Sequence, residues 1–284
     1  EPGFITPDLK REIIILSLFG ILTGISTMAL TTLDKLFINT YLGEAEVGIY
    51  SIASYFAVLI TLPGRSVTKI SIPFLAESWK KNDMETINDL YVRSSISQYA
   101  MGLLFFIGLL ANMDNIFRLL PDVYSGSAAV IILIGFGNLV SGSGGVNGAV
   151  LSTSSLYRYQ TWLMFILIGL FVTTSVIFIP LFGITGAALA TMTSNIIYSM
   201  LGIVLAGKRF GLWPYSTVHL KMTLVAAVAL GAGYVMPEIS LIPDILIRSL
   251  IVGVIFTAGV WFWKLSDDLN GVAESLLDRF RRKH

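Results

Sequence analysis

From Glu12 to Trp263 the chain runs through about eight long apolar stretches joined by short polar connections. That pattern constrains the fold more than any motif does. A membrane-spanning helix needs roughly 20 mostly apolar residues at 1.5 Å rise each, and the stretches here are of that order. In hydrocarbon every backbone amide must be satisfied within its own helix or in a closed barrel, whose strands are only about 10 residues long and alternate in polarity. These runs are too long and too continuously apolar to be barrel strands. A soluble fold would have to hide most of 17 Phe and 11 Tyr with only 13% charged residues, about half the share usual in globular domains. The sequence therefore predicts an all-α, polytopic membrane helix bundle of about eight transmembrane helices. We place them at 13–37, 46–74, 94–112, 125–150, 160–181, 184–206, 221–236 and 245–263.

The connections carry the expected punctuation. The charged run from Glu77 to Arg93 separates the second and third spans, and Phe182-Gly183-Ile184 makes a tight hairpin between the fifth and sixth. Pro121, Pro214, Pro237 and Pro243 are read into connections, where a missing amide donor does no damage. If the N-terminus is cytoplasmic, the inside segments hold 14 cations: Lys10, Arg11, Lys80, Lys81, Arg93, Arg158, Lys208, Arg209, Lys221, Lys264, Arg279, Arg281, Arg282 and Lys283. The outside loops hold only Arg118 and Arg248, with the acids Glu44, Glu46, Asp114, Asp122, Glu238 and Asp244. The positive-inside rule then puts both ends of the chain in the cytoplasm. Residues 267–284 read as an amphipathic tail, with Leu269, Val272, Leu276 and Phe280 at helical spacing and a basic end suited to anionic lipid. Residues 1–11 are polar and lack an apolar leader, and the first residue is Glu rather than Met, so the chain is expected to be part of something longer.

Charges inside a span cost about 2.5–3.5 kcal/mol each on insertion scales and usually face a bundle interior or a watery cavity. Arg65 and Lys69 lie four apart in the second span, just after Pro63-Gly64. Their stripe continues backwards through Thr61, Ser54 and Ser51. The first span has a matching stripe of Thr23, Thr27, Thr31 and Asp34. Two readings stand for these groups: a lined cavity, or long side chains snorkelling to an interface. The fourth span is rich in small residues from Gly135 to Gly148. Its glycine spacing is not a phosphate loop, because no strand precedes it and no GK[ST] follows, so it reads as a site of close helix approach or bending. Asn138 and Asn147 there, and Asn195 in the sixth span, must find partners away from lipid.

Catalytic and cofactor signatures are missing. The only histidines are His219 and His284, no pair of carboxylates lies within a span, and there is no cysteine. Metal ligation, thiolate chemistry and His-based acid/base work have almost nothing to use, so no metal, cofactor or catalytic residue is expected, and a transporter is favoured over an enzyme. A net charge of +1 with no basic face apart from the last few residues argues against a nucleic-acid partner.

Three stretches carry a family resemblance. Pro7-Asp8-Leu9-Lys10 leads into an apolar helix. Leu33-Asp34-Lys35-Leu36-Phe37-Ile38 is followed by Tyr41-Leu42-Gly43 and Val47-Gly48-Ile49-Tyr50-Ser51-Ile52-Ala53. Ile179-Pro180-Leu181-Phe182-Gly183-Ile184-Thr185-Gly186 runs on through Ala187 to Thr191. In order and spacing these resemble the C-terminal portion of the polysaccharide (O-antigen) flippases, a branch of the superfamily that includes the multidrug and toxic-compound extruders.

The resemblance covers nearly the whole chain and implies helices 7 to 14 of that fold. Residues 1–11 would be a cytoplasmic inter-lobe linker, 12–208 a six-helix lobe, 209–266 an additional helix pair and 267–284 the tail. The implied function is alternating-access movement of an undecaprenyl-pyrophosphate-linked oligosaccharide across a bacterial inner membrane. The partners would be that lipid-linked substrate, membrane lipids and an N-terminal lobe of the same protein. Arg65 and Lys69 would then be charge-assisted donors to the substrate. The alternative within transport is a cation-coupled small-molecule exporter, which would want an ionisable acid deep in the lobe. Asp34 is the one carboxylate within a span, and it lies near an end. A membrane-embedded glycosyl or acyl transferase would need an acidic metal motif or a membrane-facing His, and neither is present.

Overall fold

The computed structural model describes residues 7–237 and 239–265, with the side chains of the first helix only in part. The side chains of Thr23, Thr27 and Thr31, and the amphipathic tail, therefore lie outside the described residues. Among the described residues the regular structure is helical throughout, with no strand. Six helical stretches are long and apolar enough to cross a membrane.

Helix α1 (Pro7–Leu42) starts on a proline, whose fixed φ and missing amide suit the first turn of a helix. The last five residues read as linker thus already belong to the helix. α2 (Glu44–Val58) begins with Glu44 and Glu46 in its first turn, where carboxylates complement the positive helix end. A 3-10 turn, Leu59–Thr61, then leads into α3 (Leu62–Lys81). Three residues at 3.0 rather than 3.6 per turn rotate α3 by about 60° relative to α2. The polar stripe predicted along one continuous helix is broken at that point: Thr61, Arg65 and Lys69 stay together, while Ser51 and Ser54 turn elsewhere.

Asn82, in the left-handed conformation, ends α3, and Asp83 caps α4 (Met84–Ala111). The Thr86 amide and hydroxyl donate to the Asp83 carboxylate at 3.0 and 2.7 Å. The amide first, and then the hydroxyl, hold that carboxyl below its ordinary range. After the short α5 (Met113–Leu119) and a second 3-10 segment come α6 (Ala128–Gly142), a glycine turn and α7 (Asn147–Thr153). The fourth span, expected as one stretch over 125–150, is therefore interrupted at residues 143–146, in keeping with bending as one of the two readings of its small residues.

Helix α8 (Tyr157–Phe210) is a hairpin. Gly183 has φ 60° and ψ −138°, inside 54 otherwise helical residues, which as one rod would be roughly 80 Å long. The Thr174 and Ser194 hydroxyls meet at 3.2 Å, and the Gln160 amide donates to the Tyr198 hydroxyl at 2.7 Å. These contacts hold the arms 157–182 and 184–210 antiparallel. The chain ends in α9 (Thr217–Val235) and α10 (Leu241–Phe262), with Pro243 in the first turn of α10 rather than in a connection.

Helix α4 is the hub. It packs against α3, α6, α9 and α10, while α8 packs against α1, α6 and α7. Ile60, Leu103, Leu139, Met222 and Phe256 form the core around α4. A second cluster gathers Ile38, Tyr50, Val130 and Ile179, and a third gathers Leu75, Ile87, Tyr91, Val146 and Leu212. The third cluster brings the α3–α4 turn, α7 and the connection between α8 and α9 to one end of the bundle. Outside the core, Leu220, Leu224 and Val228 on α9 and Leu246 and Leu250 on α10 lie exposed in stripes. Such faces suit hydrocarbon rather than water, and with the six long apolar helices they suggest a multi-pass membrane protein.

Two residues read as outside-loop charges are neither exposed nor in a loop. Asp244 and Arg248 lie within α10, 1% and 7% exposed. Four residues apart on a helix they face each other, so each gives the other the partner that makes burial tolerable.

Candidate functional site

A pocket of about 420 Å³ opens between α3, α4 and α6. It brings together four of the residues singled out in the sequence, Thr61, Arg65, Lys69 and Asn138, and adds Thr68, Gln98 and Ser141. Thr61 sits at the close of the 3-10 turn, its hydroxyl donating to the Val58 carbonyl at 2.9 Å. One and two turns later on α3 come Arg65 and Lys69, both exposed. Among the described residues neither has a carboxylate partner. Along α3 they lie roughly 24 and 18 Å from the Lys81 end.

The opposite wall is largely apolar, with Leu139, Gly102 and Gly142, and carries three polar side chains. The Asn138 amide donates to the Ala57 carbonyl at 3.0 Å, tying α6 to the end of α2. The Ser141 hydroxyl reaches the Asn195 carbonyl at 3.4 Å. Gln98 of α4 is only 8% exposed, and its Nε2 has no acceptor among the described residues. Its Oε1 lies where a Cβ on Gly64 would be only 2.7 Å away, so the glycine after Pro63 makes the space the amide fills. A buried amide that leaves a donor unmatched costs about 1–3 kcal/mol.

The other predicted site residues lie apart from this pocket. Asp34 stands near the far end of α1, where Oδ1 accepts the Lys35 amide at 2.8 Å. It is within electrostatic reach of Tyr50. Tyr50 is buried, its hydroxyl meets that of Thr191 at 3.1 Å, and its carbonyl accepts from Ser54 at 2.7 Å. Asp34, Tyr50, Ser54 and Thr191 thus form a second polar cluster, between α1, α2 and the second arm of α8. Asn147 is a structural clamp: its Oδ1 accepts the Tyr91 hydroxyl at 3.1 Å, and its amide packs where a side chain on Gly202 would sit. Asn195 enters the pocket wall only through its carbonyl.

Sequence reasoning gave His219 little weight. It is buried at the third position of α9, tilted against the Tyr99 ring and edge-to-face with Tyr215. Its Nδ1 accepts the Ser216 amide at 3.3 Å, which assigns the proton to Nε2 for donation to the Ser95 hydroxyl at 2.9 Å. Ser95 in turn donates to the Ser143 carbonyl at 2.6 Å. This chain ties α9 to α4 and to the glycine turn, and its groups are spent on one another. Among the described residues no cluster of His, Asp and Glu is placed to hold a metal ion.

A scan against protein-family models finds no match, and a search of curated proteins finds no relative. The geometry of this pocket is therefore the ground on which a function is read.

Proposed function

We propose that the chain is one lobe of a transporter that moves a lipid-linked anionic saccharide across a membrane, with the pocket lined by Arg65, Lys69 and Gln98 as part of its translocation path. The supporting observation is the pair of cations without carboxylate partners among the described residues, exposed on α3 and lining the pocket. Charges facing lipid within a span are costly. That side of α3 therefore faces a water-filled cavity, completed by another lobe of the same protein. A pyrophosphate-linked oligosaccharide supplies the anion that two such cations accept through charge-assisted hydrogen bonds.

In this reading there are eight crossings, formed by α1, the α2–α3 unit, α4, the α6–α7 unit, the two arms of α8, α9 and α10. Both ends lie on the cytoplasmic side of a bacterial inner membrane, and the protein carries substrate without chemically changing it. The resemblance to polysaccharide flippases supports the same assignment. Replacing Arg65 and Lys69 together with Gln in the full-length protein is expected to abolish export of surface polysaccharide in cells while protein levels stay normal. Unchanged export at normal levels refutes these cations as substrate ligands.

One observation favours the alternative of a cation-coupled exporter. Asp34 is half-buried beside the Tyr50–Thr191 pair, a setting suited to taking up and releasing a proton or sodium ion. Under that reading Asp34→Asn abolishes transport and Arg65→Gln/Lys69→Gln leaves it intact, the reverse of the flippase pattern.

A further inference from the structure

A second cavity, of about 590 Å³, lies at the start of α8 and is lined by Ser155, Tyr157, Arg158, Tyr159 and Trp162. Its one cation is Arg158, and Arg209 lies beside it, against the ring of the lining residue Tyr159. The Arg158 guanidinium lies 5.6 Å from the centre of the Tyr157 ring, and its Nε donates to the Tyr157 hydroxyl at 3.1 Å. Arg209, arriving at the other end of the α8 hairpin, lies 6.0 Å from the centre of the Tyr159 ring. The hydroxyl contact of Arg158 and the ring contact of Arg209 order each guanidinium without neutralising it. Among the described residues no carboxylate lines the cavity, and neither arginine has a carboxylate partner. With Nε of Arg158 engaged, its two terminal nitrogens remain to grip a ligand, in the planar fork that suits phosphate.

The cavity is also amphipathic in the sense a lipid needs. Trp162 is 65% exposed and packs 6.0 Å from Phe165. Phe165 and Ile166 are exposed one turn further along, followed by an open surface at Gly169. Arg158 in the cavity, with Arg209 beside it, thus sits at the head of an apolar track that descends a membrane-length helix. Tyr and Trp at such a helix end mark the level of the headgroups. A free phosphate would use only the head of this site, whereas a phospholipid would use both parts.

We propose that this cavity is a binding site for the headgroup of an anionic diacyl phospholipid, gripped by Arg158 and Arg209, with its chains along Trp162, Phe165 and Ile166. The two cations disfavour a zwitterionic headgroup, whose own positive charge would be brought close to them.

The test is native mass spectrometry of the detergent-purified full-length protein, offered phosphatidylglycerol and phosphatidylcholine in equal amounts. Wild type is expected to retain phosphatidylglycerol with a roughly tenfold preference. R158Q/R209Q should lose that preference and R158K/R209K should keep most of it, both remaining monodisperse. K221Q, which removes a cation at the same end of the bundle but outside the cavity, should behave as wild type. An unchanged preference in R158Q/R209Q, or an equal loss in K221Q, overturns the site. Displacement of the lipid by millimolar inorganic phosphate also overturns it, since the apolar track would then add nothing.

Discussion

Arg248 grips Asp244 from one turn further along α10, with Nε to Oδ2 and Nη2 to Oδ1 both at 3.0 Å. The same guanidinium donates to the Gly233 carbonyl at 2.7 Å, and the Asn115 amide donates to Asp244. One buried ion pair thereby joins α10 to α9 and to α5. Removing one partner of a buried pair leaves the other charge uncompensated, whereas replacing both with apolar residues of similar volume is often neutral. Asp244→Asn and Arg248→Met should each lower the Tm of the purified protein by roughly 5–10 °C, and Asp244→Leu/Arg248→Met should recover most of that loss. A double variant as unstable as the singles would show that the contacts to Gly233 and Asn115, rather than charge balance, hold the network.

The turn of the α8 hairpin rests on two glycines for different reasons. Gly183 adopts a positive φ with strongly negative ψ, a conformation that costs a residue with a Cβ about 1–3 kcal/mol. Gly186 has ordinary helical geometry, but a Cβ there would collide with the Phe178 carbonyl. Ala at either position should lower stability, and Gly186→Val should be the worst because the neighbour is backbone. Gly108→Ala on α4, where a Cβ meets nothing, should instead gain up to about 1 kcal/mol. Thermal melts of the four variants in one detergent would check the ordering.

The parts of this architecture legible in the sequence are those set by one-dimensional quantities. The run lengths foretold apolar helices long enough to cross a membrane, six among the described residues where eight spans were expected; Phe182-Gly183-Ile184 foretold the hairpin, and the glycines from Gly142 to Gly145 allowed a bend after α6 as one of two readings. Local rotation was not legible. A three-residue 3-10 turn at Leu59–Thr61 separates Ser54 from Arg65, and no residue type announces it. Pairing was not legible either. Asp244 and Arg248 read as loop charges because each was counted alone, although their four-residue spacing could have signalled a pair. Nothing in the sequence marks Gln98, since only the packing of α4 against Gly64 of α3 brings it into the pocket. Asn147 looked like a cavity residue for the opposite reason. A buried amide in a helix is equally well explained by Tyr91, and only the fold decides between them.

Gln98 offers the sharpest separation of function from stability. Its Nε2 is buried without an acceptor among the described residues, so the folded protein bears a cost that an apolar side chain of similar size would remove. Gln98→Leu should therefore raise stability by about 1 kcal/mol, seen as a Tm higher by a few degrees. If the amide is kept to donate to a passing saccharide oxygen, the same variant should reduce transport severalfold, while Gln98→Glu, which keeps an acceptor but loses the donor, should be at least as defective. Gly64→Ala should push the amide from its seat, because the new Cβ would approach Oε1 to 2.7 Å, and should lower transport without touching either cation. Measured together as surface polysaccharide and thermal stability, these variants should move in opposite directions on the two axes for Gln98→Leu alone. A stabilised Gln98→Leu with full transport would mean that the unmatched donor serves neither packing nor substrate.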